Sequence, residues 1–244
     1  MIDVSRRNLV RGALAAPLAL SSSALAAETL EERCKRELLP TLDFPELAKY
    51  RDDNARLIAT HMPVDVVFMG DSITEGWKEK RPAFFGKGRI DRGISGQTTP
   101  QMVLRMMADV VDLKPKAVHI MAGTNDVAGN TGPMTARMSE DNFRMMSDIA
   151  RMHRINVLIA SIPPAASFPW RPGLDPRGRI AELNAWLKRF AAETGATWVD
   201  YGSALDDGTG AMKPGMAGDG VHPTEAGYDA MAKVVEPILR RVLA

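Results

Sequence analysis

An apolar run, Val64 to Met69, enters Gly70-Asp71-Ser72 where a helix should begin, and short apolar runs recur down the chain between amphipathic stretches. This alternation has strand–helix spacing, which constrains the chain to β–α units around a mainly parallel sheet. Strands are expected over Val64–Met69, near Arg89–Arg92, and over Ala117–Met121, Asn156–Ser161 and Thr197–Asp200. Helices are expected over Thr99–Asp112, Met134–His153, Arg177–Thr194 and Thr224–Leu243, where apolar residues fall at helical intervals. Met106-Met107 and Met145-Met146 read as core filling. Glu28 to about Met62 is charged and rich in Leu and Ala, with breaks at Pro40 and Pro45; it reads as helical packing ahead of the main fold, with no chemistry assigned.

With 244 residues, 45% hydrophobic and 25% charged, the chain is long enough for one well-filled core. A net charge of +1 and the absence of a Lys/Arg stripe exclude a nucleic-acid binder. Residues 1–26 read as an export signal: Arg6-Arg7 of the twin-arginine type precede an apolar stretch that ends in the small-residue pattern Ala24-Leu25-Ala26. The stretch is too short for a stable membrane anchor. Removing it takes three arginines and one aspartate, leaving a charge of −1 and a periplasmic or secreted protein. Cys34 is the only cysteine, which rules out an intramolecular disulfide and a thiolate metal cluster.

Ligand crevices of open parallel sheets lie outside the carboxyl ends of the strands. Gly70-Asp71-Ser72, Ser95-Gly96-Gln97 and Gly123-Thr124-Asn125-Asp126 follow the first three strands there. Ser72, at a strand-to-helix turn, would present its hydroxyl to the crevice and its backbone N–H to developing negative charge. A serine hydroxyl needs a base, and of four histidines His222 is the candidate. His222 sits in a Gly/Pro-flanked loop three residues after Asp219, close enough for the carboxylate to hold its Nδ1–H. An Asx-type turn beside a surface histidine is the other reading of that loop. Gly96, by its backbone N–H, and Asn125, by its side-chain NH₂, are the further candidate oxyanion donors. Asp71 and Asp126 read as structural, bonding local backbone N–H groups. Thr98 and Thr99 should start a helix, with Pro100 in its first turn.

These four blocks, in this order from about Val64 to the C-terminus, resemble the SGNH hydrolases, also called GDSL esterases. The blocks are Gly70-Asp71-Ser72, Gly93-Ile94-Ser95-Gly96-Gln97-Thr98-Thr99, Gly123-Thr124-Asn125-Asp126 and Asp219-Gly220-Val221-His222-Pro223. The resemblance implies a three-layer α/β/α, flavodoxin-like fold with a five-stranded, mainly parallel sheet, no metal or cofactor, and an acyl-serine intermediate. It assigns Ser72 as nucleophile, His222 as base, Asp219 as orienting acid, and Ser72, Gly96 and Asn125 as the oxyanion hole. The expected division is the signal over 1–26, a helical extension over 27–62 and a catalytic domain over 63–244. No Gly-x-Ser-x-Gly elbow is present, since Thr74 stands where the second glycine would fall.

The loop from Pro163-Pro164 to Pro176 should overhang the crevice, its Phe168 and Trp170 forming with Trp77 an aromatic wall for substrate; simple packing is the alternative. Export and that wall favour short-acyl, acetyl-type esters of a carbohydrate or a similar small ester. A lysophospholipase or thioesterase and a catalytically silent glycan-binding module remain as alternatives.

Overall fold

The computed structural model describes residues 42–244, all within one compact unit. The expected export signal and Cys34 lie outside the described residues. Five parallel strands form one sheet among the described residues: β1 (Val66–Gly70), β2 (Arg89–Gly93), β3 (Ala117–Met121), β4 (Asn156–Ala160) and β5 (Thr197–Val199), in the order β2-β1-β3-β4-β5. Among the described residues the helices with given bounds are α1 (Arg51–Ala59), α2 (Ser72–Lys80), α3 (Thr99–Asp109), α4 (Thr124–Ala128), α5 (Ala136–Met152), α6 (Arg177–Thr194), α7 (Gly202–Leu205) and α8 (Glu225–Leu243). Helices α2 and α8 cover one face of the sheet and α3, α5 and α6 the other, giving the three-layer α/β fold. No helix among the described residues is long and apolar enough to cross a membrane.

The strands β1 and β3 are buried at every position, as parallel strands covered on both faces must be. Their register aligns Gly70 with Gly93 on one side and with Met121 on the other, so the loops after β1, β2 and β3 leave the sheet side by side. Expected and observed elements differ at their ends for local reasons. Helix α3 stops at Asp109 and continues as a 3-10 turn over Val111–Leu113. Thr135 and Thr224 stand outside their helices as N-caps, their hydroxyls accepting from Met138 N–H and Gly227 N–H. Thr98 is the N-cap of α3, with Thr99 first in the helix and the Gln101 side chain accepting the Thr98 N–H. Of the methionine pairs, Met106 and Met146 fill the core while Met107 and Met145 are exposed.

Three bonds draw the C-terminal elements onto the two ends of α2. Tyr228 on α8 donates to the Ile73 carbonyl at 2.8 Å, Lys80 donates to the Pro223 carbonyl at 3.1 Å, and Arg81 pairs with Asp229 at 2.7 Å. Helix α1, within the expected extension, packs on the domain through Leu57 and Asn54, whose amide holds Asp109 and Arg92.

Candidate active site

Ser72 opens α2. Asp71 is its N-cap, with Oδ1 accepting the Ile73 N–H at 2.9 Å. The Ser72 N–H, in the unpaired first turn, has no hydrogen-bond partner among the described residues. The Ser72 Oγ lies 2.9 Å from His222 Nε2, and His222 Nδ1 lies 2.7 Å from Asp219 Oδ2. Residues 150 positions apart therefore form one hydrogen-bonded series. The other histidines are elsewhere: His119 is buried in β3 against the Tyr201 hydroxyl, 2.9 Å away, and burial pulls its pKa down to about 3. His61 is exposed and His153 caps α5.

Both readings of the Asp219 loop are realised together. Asp219 Oδ1 accepts the N–H groups of Val221 (3.0 Å) and His222 (2.8 Å), which is the Asx-type turn, while Oδ2 holds the imidazole. Burial pushes the Asp219 pKa up, but the His222 and Val221 N–H groups and the imidazole outweigh it and leave it at about 2. Asp71 has the opposite balance: full burial pushes its pKa up to about 6 against the bond from Ile73. The structure corrects the local reading of Asp126. Its carboxylate reaches the Thr99 N–H (2.8 Å) and hydroxyl on α3 and the Ser139 hydroxyl (2.7 Å) on α5, tying three elements together.

The loop after β2 carries Gly96 at φ +77°, a left-handed conformation that suits glycine, exposed and with its N–H unpartnered among the described residues. It is pinned on both sides. Glu75, one turn into α2, accepts the Ser95 N–H at 2.7 Å, and the Gln97 carbonyl accepts Asn125 Nδ2 at 2.9 Å. Arg105, fully buried, braces the same region by donating to the Gly70 carbonyl (2.9 Å), the Gln97 side chain (2.7 Å) and the Arg92 carbonyl (2.8 Å). The segment ahead of α1 closes the outer side: Gln97 Nε2 donates to the Pro45 carbonyl, Lys49 pairs with Glu75, and the Tyr50 hydroxyl donates to the Gly93 carbonyl.

The expected aromatic wall needs correction at two of its three members. Trp77 is fully buried, stacked between Phe84 (4.5 Å) and Tyr228 (5.6 Å), because it shares the sheet-facing side of α2 with Ile73. Phe168 is 1% exposed and lies under Trp170, rings 5.1 Å apart at 15°. Trp170 alone reaches the site: it is 38% exposed and its ring centroid is 6.0 Å from that of His222. Sequence reasoning missed Glu75, Gln97, Arg105 and Asn130. Asn130 is exposed just after α4, and its amide touches Asn125, Gly96 and Trp170. The Gly129 and Asn130 turn at the end of α4 was the available signal.

Comparisons with known proteins bear on the family and the fold. Residues 68–230 match the GDSL-like Lipase/Acylhydrolase family. The crystal structure of a GDSL-like lipase from Bacteroides thetaiotaomicron is 39% identical, with a TM-score of 0.77 over 81% of this chain and 98% of that one. An acetylxylan esterase of Geobacillus stearothermophilus is 28% identical over 157 residues, 59% of this chain and 68% of the relative. Esterase TesA of Pseudomonas aeruginosa is 28% identical over 195 residues, 73% and 89% of the two chains. The uncharacterized lipoprotein YqeF of Bacillus subtilis is 37% identical over 119 residues, 41% of this chain, and only about half of its length (49%) is spanned. With its sheet order, its four sequence blocks and the family match over most of its length, the chain belongs to the GDSL-like lipase/acylhydrolase family.

Proposed function

We propose that this chain is a serine-dependent carboxylic ester hydrolase acting on short-acyl, chiefly acetyl, esters of a carbohydrate through an acyl-serine intermediate. The observation that carries the reading is the series Ser72 Oγ, His222 Nε2, His222 Nδ1, Asp219 Oδ2, with links of 2.9 and 2.7 Å. His222 takes the Ser72 proton as Oγ attacks the ester carbonyl, and Asp219 holds the tautomer and stabilises the imidazolium. The Ser72 and Gly96 N–H groups and the Asn125 side-chain N–H receive the oxyanion. His222 then protonates the departing alcohol, and water attacks the acyl-serine by the same route.

The carbohydrate alcohol is supported by the side of the site where His222 delivers its proton. Trp170 stands there with a half-exposed ring, a surface suited to a sugar face, and a groove of about 520 Å³ continues past it, lined by Val127, Pro133, Arg171, Pro172 and Leu174. The acetylxylan esterase among the relatives favours the acetyl group. The export signal expected in residues 1–26 favours a substrate outside the cytoplasm, which N-terminal sequencing of the secreted protein would test.

Hydrolysis of p-nitrophenyl esters from acetyl to long acyl chains, by wild type and by Ser72→Ala, tests the proposal. Turnover strongest on acetate and absent in the variant is expected. A preference for long chains would favour a lipid or thioester acylhydrolase, and full activity in Ser72→Ala would overturn the serine mechanism.

A further inference from the structure

Asn130 belongs neither to the serine–histidine–aspartate series nor to the oxyanion donors, yet its side chain is bonded to two of those donors and to Trp170. Its Nδ2 donates to Asn125 Oδ1 at 2.8 Å and to the Gly96 carbonyl at 3.3 Å, and its Oδ1 accepts the Trp170 Nε1–H at 3.1 Å. Its backbone N–H also donates to the Asn125 carbonyl at 3.0 Å.

The ends of this network have fixed polarity, and they dictate everything between them. An indole N–H can only donate, so the Asn130 atom facing Trp170 must be the oxygen. The Asn130 NH₂ is thereby turned toward Gly96 and Asn125. A backbone carbonyl can only accept, which agrees with that orientation at Gly96 and requires Asn125 to present its nitrogen to the Gln97 carbonyl. Asn125 therefore offers its oxygen to Asn130, has one Nδ2 proton on Gln97, and keeps one Nδ2 proton for an incoming ligand.

We propose that Asn130 is a positioning residue of the oxyanion hole, holding the Asn125 amide in its donating orientation, and that Trp170 sets the polarity of Asn130. The inference rests on the esterase reading above. Trp170 thereby acts twice, bordering the leaving group with its ring and anchoring the hole from outside with its indole N–H. Asn130→Asp is the informative change, because it is isosteric and still accepts from Trp170. It has no donor for Asn125 Oδ1 or the Gly96 carbonyl, so the Asn125 amide must either keep Gln97 and face an oxygen at position 130 or rotate and lose Gln97, and either response moves its free Nδ2 proton off the oxyanion position.

The test is steady-state hydrolysis of p-nitrophenyl acetate by wild type, Ser72→Ala, Asn130→Asp, Asn130→Ala, Trp170→Phe, Asn125→Ala and the Asn125→Ala/Asn130→Asp double variant, with thermal melting of each. Asn130→Asp is expected to lower kcat by about 10²-fold, the scale of one lost oxyanion donor, with KM within about 3-fold and the melting temperature little changed. Asn130→Ala and Trp170→Phe, which remove support without reversing polarity, should each lose about 5- to 10-fold in kcat. In the Asn125→Ala background Asn130→Asp should cost no more than about 2-fold, since its effect passes through Asn125. Asn130→Asp with wild-type kcat, beside a silent Ser72→Ala, overturns this proposal and leaves the esterase reading standing. A full further loss in the Asn125→Ala background also overturns it. Wild type no faster than Ser72→Ala overturns the esterase reading and this inference together.

Discussion

Asp219 divides its two carboxylate oxygens, one folding the loop through Val221 and His222 N–H and the other holding the His222 ring. Asn in its place could still accept at one oxygen, but an NH₂ facing Nδ1 requires the opposite tautomer, with Nε2 protonated toward Ser72. Asp219→Asn should therefore lower kcat on p-nitrophenyl acetate by at least about 10²-fold with a smaller change in KM; a loss under about 3-fold would contradict the orienting role. With its pKa held at about 2, Asp219 stays ionised, and so keeps its hold on the His222 ring, at any pH well above that value. The misread Trp77 was legible in principle, because Ile73 and Trp77 are four residues apart and so share one side of α2. The turn at Gly129 and Asn130 marked the position of Asn130, but its role was not legible, because what makes it informative is the polarity of partners supplied by other segments.

The nucleophile is placed by the way α2 lies on the ends of β1 and β2. A Cβ on Gly93 would stand 2.2 Å from the Glu75 backbone nitrogen and 2.8 Å from the Asp71 carbonyl, so α2 can sit there only against glycine. Gly93→Ala must move the first turn of α2, with Ser72 in it and Glu75 bonded to Ser95. We expect a loss of about 1–3 kcal/mol in denaturant unfolding together with a fall in kcat; unchanged stability and activity would contradict this packing. The strands and long helices could be read from periodicity, and the glycine and serine blocks from their position after successive strands. The brace behind them could not. Arg92 and Arg105 are fully buried, where arginines are seldom found, because Asn54, Asp53 and Asp109 and several backbone carbonyls meet their donors.

Across the whole molecule the polar site and the apolar core are continuous, and the site leaves a mark on stability. Asp71 has a pKa of about 6 in the fold against 3.8 for a free side chain, so between those values the folded protein binds the extra proton. Its contribution is most favourable below pH 3.8 and is lost as pH rises through about 6. Asp71→Asn keeps an oxygen for the Ile73 N–H and removes the buried charge. Its stability relative to wild type should increase across that window by up to about 1.4 kcal/mol per pH unit, measured by denaturant unfolding at pH 4.5 and 7.5; an offset that did not change with pH would contradict the burial argument. Everything proposed for the chemistry depends on Ser72, activated by His222, being the nucleophile of an ester hydrolase. Labelling the folded protein with a fluorophosphonate and mapping the adduct by peptide mass puts that dependence to the test. A single adduct on the Ser72 peptide is expected, formed in step with loss of esterase activity and absent in His222→Ala; an adduct elsewhere, or activity that survives full labelling of Ser72, would contradict it.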